Sequence, residues 1–321
     1  MAINTSTDFT QTRDQVITDA FQLLGVYGLG KTIIDADKNF ASNQLNKMLK
    51  SWEMDGLHLW TKVEGVQFLQ PTQASYQLGN SSADYACNLS DASFTATTAT
   101  LLSGVTAIPV ISTAGMTAAD YIGIVMADNT VFWTTISTVD SSTQVTISSP
   151  ITQNINSGML IYSFTTKINK PLRVLTARRA TGYDGNPGTL QEALMSVMSY
   201  QDYQNMTSKY VNGVPNQYCY LPNTLSGSLF LWQRPAFGSD RIHFTYERAM
   251  GDMDNATDNF DLPQEWLEVI TWQLAVRLGT SYGRGEKVNK EILPIASLML
   301  DRARDWDREI TYVDIWPDKR G

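Results

Sequence analysis

Between residues 81 and 166 the chain carries no Lys, no Arg and no Glu, only five Asp, and about a third of the stretch is Ser or Thr. All 24 basic residues of the 321-residue chain lie in the two flanks. Few charges and abundant Thr suit a rigid, half-buried β surface. Tyr121 to Ala127 and Val131 to Ser137 are β-rich runs joined by Asp128-Asn129-Thr130, and Asp and Asn tolerate the left-handed turn that a hairpin needs. Further runs at 94–102, 105–112, 144–148 and 159–164 recur with turn signals about every ten residues, as in a small sandwich or barrel. The stretch 81–166 is therefore expected to be an all-β insertion domain.

The flanks have a different period. Val16, Ala20, Phe21, Leu23 and Leu24 recur at helical spacing, as do Ala41, Leu45, Met48, Leu49 and Trp52, which predicts a helical hairpin at the start of the chain. Leu190 to Tyr210 carries Leu190, Leu194, Val197 and Met198 at similar spacing and predicts a third helix. In the run 241–247, Ile242, Phe244 and Tyr246 alternate with His243, Thr245 and Glu247, which places the first three inward and His243 outward. Asp261-Leu262-Pro263 is a helix start, and Trp266, Ile270, Leu274 and Leu278 follow as an i, i+4 stripe. A last helix is expected from Lys287 to Ile310, its stripe being Val288, Ile292, Ile295, Met299, Ala303, Trp306 and Ile310. The fold class expected is α+β: a discontinuous helical-bundle domain with a small sheet (1–80 and 167–321), interrupted by the all-β insertion (81–166).

Net charge is −8, which disfavours a protein that grips nucleic acid, because phosphate binding draws on clustered Lys and Arg. DNA could still slide past such an acidic surface without sticking. Cys87 and Cys219 have no metal-ligand spacing and are expected to be buried small hydrophobes. The polar start of the chain lacks a signal-peptide pattern, and no apolar run nears the ~20 residues of a membrane helix, so cytosolic synthesis and no membrane partner are expected.

Gly25 to Thr32 matches the spacing Gly-x4-Gly-Lys-Thr of a phosphate-binding loop. That chemistry needs a buried strand entering the loop and a helix leaving it, so that backbone amides cradle phosphate. Here the preceding residues have helical period and carry Asp14, Asp19 and Gln22 outward, so the glycines are expected to form the hairpin loop. His58 and His243 are too few for a triad or a zinc site. Asp252, Asp254, Asp258 and Asp261 crowd one loop without the central Gly or final Glu of a calcium loop. Glu53, Asp55 and Glu64 could be proposed as paired acids, but any chain with 32 acids offers such pairs. Arg178 and Arg179 could meet DNA or an acidic neighbour, or form a surface pair. No cofactor, metal or catalytic residue is expected.

The segments LPQEWLEVITWQLAVRLGTSYG (262–283) and ASLMLDRARDWDRE (296–309), with GVPNQYCY (213–220), LFLWQRP (229–235) and ASNQLNKMLKSWEMDGLHLW (41–60), resemble the head-to-tail adaptors of short-tailed bacteriophages. These are tail accessory, or packaged-DNA stabilisation, proteins. The resemblance implies a mostly helical, non-enzymatic structural protein of the virion neck, assembled in the host cytoplasm as a dodecameric ring. Such a ring docks under the portal, extends the DNA channel without specific DNA binding, helps retain packaged DNA, and meets a tail nozzle, fibre or tailspike. It also implies a portal-binding C-terminal extension, which here holds Tyr312, Ile315, Trp316, Pro317, Lys319 and Arg320. Other readings are a different neck or tail ring, a nucleotide-binding enzyme through Gly25 to Thr32, or a peptidoglycan hydrolase, for which no residue matches a motif.

Overall fold

The computed structural model describes residues 9–54, 59–79, 84–182 and 189–307. The chain divides into two compact units, Met1–Thr61 with Ala249–Gly321, and Lys62–Arg248.

In the first unit, α1 (Arg13–Leu24) and α2 (Asp35–Glu53) form the expected hairpin. Thr12 and Gln15 make a capping box on α1, satisfying amides that the first turn leaves without partners. Gly25, at φ 69°, ends α1 in the left-handed conformation that glycine adopts without strain. The α4 helix (Trp266–Ser281) buries Trp266, Ile270, Leu274 and Leu278 against Phe21, Leu24, Leu45 and Trp52 in one core. A short turn, α5 (Gly285–Lys287), leads into a π-turn at Val288–Ile292 and then α6 (Leu293–Trp306).

The second unit is built from strands. A five-stranded sheet runs in the order β11 (Gln191–Leu194), β10 (Arg173–Thr181), β17 (Arg241–Glu247), β1 (Lys62–Phe68), β3 (Ala86–Asn88), all antiparallel. A four-stranded sheet has β12 (Ser196–Val197), β14 (Gln217–Pro222), β15 (Gly227–Trp232) and β2 (Ser75–Leu78), and β13 (Asn212–Gly213) pairs with β16 (Arg234–Pro235). The six-stranded sheet is β4 (Ser93–Ala96), β9 (Leu160–Phe164), β6 (Tyr121–Val125), β7 (Val131–Ser141), β8 (Gln144–Ile147) and β5 (Ala107–Pro109). The β6–β7 hairpin turns at Asn129, φ 66°, as its sequence predicts. Gly123 faces Trp133 across this hairpin, and a Cβ there would lie 2.7 Å from the indole, so only glycine lets the ring lie flat on the strand.

These findings correct the expected fold class. Among the described residues, seventeen strands in several sheets outweigh six α-helices, one of them the short α3 (Tyr200–Asn205), so the fold is mostly β and not a helical bundle. The two compact units divide at 61/62 and 248/249, and the six-stranded sheet, which lies wholly within 81–166, shares a unit with the other sheets. Packing explains this: Val66, Phe68 and Cys87 share one core with Val125, Val131, Tyr162 and Phe164 of the six-stranded sheet. The helix expected over Leu190 to Tyr210 is instead β11, β12 and α3, with Leu194 and Val197 exposed.

Candidate functional site

The glycine loop was the sharpest chemical candidate in the sequence, and helix α1 enters it where a phosphate site needs a strand. Three of its amides are engaged: Gly25 N donates to Gln22 O (2.9 Å), Val26 N to Phe21 O (3.2 Å) and Lys31 N to Gly28 O (3.1 Å). The next helix, α2, opens with Asp35 and Asp37, whose charge opposes an incoming phosphate. Asp37 accepts hydrogen bonds from the Tyr27 hydroxyl and from the Tyr282 hydroxyl (2.8 Å), which ties the loop to the end of α4. Burial, then this carboxylate, pushes the Tyr282 phenol above its ordinary range. The loop is a structural clasp.

Arg178, Arg179, Glu64 and His243 come together on the five-stranded sheet, as ion pairs within the chain. Arg178 Nη2 meets Glu64 Oε1 at 2.8 Å and its Nε meets Glu192 Oε2 at 3.4 Å, while Arg179 Nη1 meets Asp240 Oδ2 at 3.3 Å. His243, expected outward, is buried, with Nδ1 2.7 Å from Glu192 Oε1. The alternation rule assumes one face in water, whereas here Glu192 from β11 and Arg178 from β10 reach over the face that His243 shares. Glu53 accepts from Lys50 Nζ and from the Met250 amide (2.8 Å), and Asp55 and His58 lie outside the described residues. Glu53 and Glu64 are thus each engaged by a basic side chain of the same chain.

Burial, foremost, holds the His243 pKa below its ordinary 6.5; the Arg241 and Arg178 charges act the same way and the Glu192 hydrogen bond opposes them. Between the depressed folded value and 6.5 the unfolded chain binds the proton more readily, so stability is full above 6.5 and falls as pH drops below it. We expect the urea midpoint of the wild-type chain to fall between pH 7.5 and pH 5 more than that of a His243→Gln variant. Equal slopes would show that His243 contributes nothing.

In the acidic loop, Asp252 pairs with Lys50 (2.9 Å), and Asp258 accepts from the Asn255 amide (2.7 Å) in a closed turn. Among the described residues no three His, Cys, Asp or Glu side chains are grouped to hold a metal ion. Cys87 and Cys219 are buried free thiols, and burial pushes both above their ordinary pKa. No helix among the described residues is long and apolar enough to cross a membrane.

Among the described residues, one side of α6 is a surface that carries several exposed apolar side chains. Pro294 has no amide to continue an α-helical ladder, and the π-turn before it adds a residue to the turn and rotates the faces that follow. Val288, Ile292 and Ala303 are buried as the stripe predicts, and so is Ala296, whereas Ile295 and Trp306, expected in the same stripe, are 40% and 59% exposed. Leu298, which the spacing did not single out, is 51% exposed, and Arg302 is exposed beside it. At ~100° per residue, Ile295, Leu298, Arg302 and Trp306 fall within about a quarter of the helix circumference. Tyr312, Ile315, Trp316, Pro317, Lys319 and Arg320, together with Ile310, lie outside the described residues.

No protein-family model matches the chain, and no curated protein matches its sequence.

Proposed function

We propose that this chain is a structural protein of a phage virion, a head-to-tail adaptor that forms a dodecameric ring under the portal and carries no reaction. The observation that carries the reading is the exposed stripe Ile295, Leu298 and Trp306 on α6, which in sequence runs on into Tyr312, Ile315 and Trp316. Apolar side chains grouped on a surface favour burial against another protein. The segments 262–283 and 296–309, which carry the adaptor resemblance, supply α4 and α6 themselves. The reading rests on this surface, and the resemblance's mostly helical subunit is not part of it. A net charge of −8 suits a channel through which packaged DNA passes without adhering, and a nozzle, fibre or tailspike protein would be the next neighbour.

The glycine loop gives the enzymatic alternative little support, because a helix and not a strand enters it and its following helix begins with two acids. In a pull-down with purified portal rings, the full chain is expected to be captured and a chain lacking residues 311–321 to lose most of that capture. Undiminished capture of the truncated chain would remove Tyr312 to Arg320 from the interface. A full chain that ignores portal rings would remove the adaptor reading.

A further inference from the structure

We propose that the α6 stripe of one copy seats in the groove between α1 and α4 of the next copy, with Arg302 placed among Asp19, Glu265 and Glu268. The inference rests on the reading of the chain as an assembly subunit, and names the surface that α6 meets. The groove consists of two adjoining open hollows of about 420 and 370 Å³ that share Phe9, Gln11 and Asp19. The second hollow is also lined by Leu267, Trp272, Glu265 and Glu268, and no Lys or Arg lines either one. Asp14, at its margin, is already paired with Arg13 (2.9 Å) and Lys38 (3.2 Å).

Asp19, Glu265 and Glu268 have no cationic partner among the described residues; Asp19 only accepts a hydrogen bond from Gln11 Nε2 at 3.1 Å. The positive end of α4 accounts for a carboxylate at Glu268. It does not account for Phe9, which is 64% exposed beside the groove. On α6 the pattern is the converse, since Arg302 has no acidic partner among the described residues and is flanked one turn either way by exposed Leu298 and Trp306. A lone cation between apolar side chains thus faces a groove of uncompensated carboxylates between apolar side chains. The two patches are different and each complements the other, which gives head-to-tail association and, where the rotation closes, a ring.

Sedimentation velocity on the full chain tests this with Arg302→Glu, with Glu265→Lys/Glu268→Lys, and with all three changes together. Each partial set puts like charges in the interface and is expected to raise the concentration needed for assembly by roughly tenfold or more. The triple variant is expected to assemble again, as is an equimolar mixture of the two partial sets, because every interface then joins opposite charges. Arg302 is exposed and makes no contact that folding needs, so its variant reports on assembly even if the α4 changes disturb the helix start. If the wild type assembles and Arg302→Glu assembles equally well, or if the triple variant is not restored, this interface is overturned while the adaptor reading stands. A wild type that stays monomeric at every concentration overturns both.

Discussion

Trp266→Ala is expected to lower the stability of the helical unit by about 3–5 kcal/mol, the cost of an unfilled cavity left by a large aromatic side chain. Trp266 is the first residue of α4 and fully buried, and its ring meets Trp52 edge-on at 5.5 Å and Trp60 at 5.1 Å. Each such pair adds about 0.5–1.5 kcal/mol beyond area burial. Alanine would remove both pairs and leave two indoles facing a void that α2 and α4, each held at several other core positions, cannot close. Far-UV circular dichroism in a urea titration reports this unit, because α1, α2, α4 and α6 hold most of the helix in the chain. Trp266→Phe, which keeps part of the volume, should lose less than half as much. A wild-type midpoint in the alanine variant would mean that the three-tryptophan contact is not a keystone of this core.

That core was legible in the sequence because its determinants are local. Val16, Ala20, Phe21 and Leu24 on α1, Leu45, Met48, Leu49 and Trp52 on α2, and the α4 stripe are all buried where the helical period puts them. That a helix and not a strand enters the glycine loop was legible for the same reason, since helical period before Gly25 is a local fact. The strand-rich unit was not legible to the same degree. Leu190, Leu194, Val197 and Met198 have helical spacing, yet residues 191–197 are drawn into two sheet edges by partners at Arg178 to Thr181 and at Gln217 and Tyr218, far away in sequence. The inward place of His243 depends on Glu192, fifty-one residues upstream, which no alternation pattern contains. On the last helical segment the expected stripe holds in part: Val288, Ile292 and Ala303 are in the core and Met299 packs against it, whereas Ile295 and Trp306 are exposed. After the π-turn at Val288–Ile292, Ala296 takes the inward place beside Ile295, and Ile295 and Trp306, both assigned to a core, become candidates for an interface.

Phe68→Ala is expected to have an effect of similar size, about 3–5 kcal/mol, and to express it in a sheet to which Phe68 does not belong. Charge composition changes at residue 81, and that change suggested a module from 81 to 166; twelve buried residues from Ile108 to Ile161 form a core inside it, and a second core joins it to Val66 and Phe68. Phe68, on β1 and only 2% exposed, lies 4.7 Å from the Tyr162 ring and 5.8 Å from Phe164 in stacked arrangements, with Trp133 at 5.3 Å and Phe94 at 6.3 Å. Those four rings belong to β9, β7 and β4, so one side chain of β1 closes the apolar face of the six-stranded sheet. Tyr85 reinforces the closure by stacking on Trp133 at 4.0 Å, with Lys167 Nζ 4.3 Å from the Tyr85 ring centre. Hydrogen exchange should therefore show protection falling in β9, β6 and β7 of the Phe68→Ala chain. A fragment of residues 81–166, which keeps Tyr85 but lacks Phe68 and Val66, should bind a hydrophobic dye and unfold without a cooperative transition. If that fragment instead unfolds cooperatively and Phe68→Ala leaves β9 as protected as in the wild type, the two sheets have separate cores and the change at residue 81 is a true domain boundary.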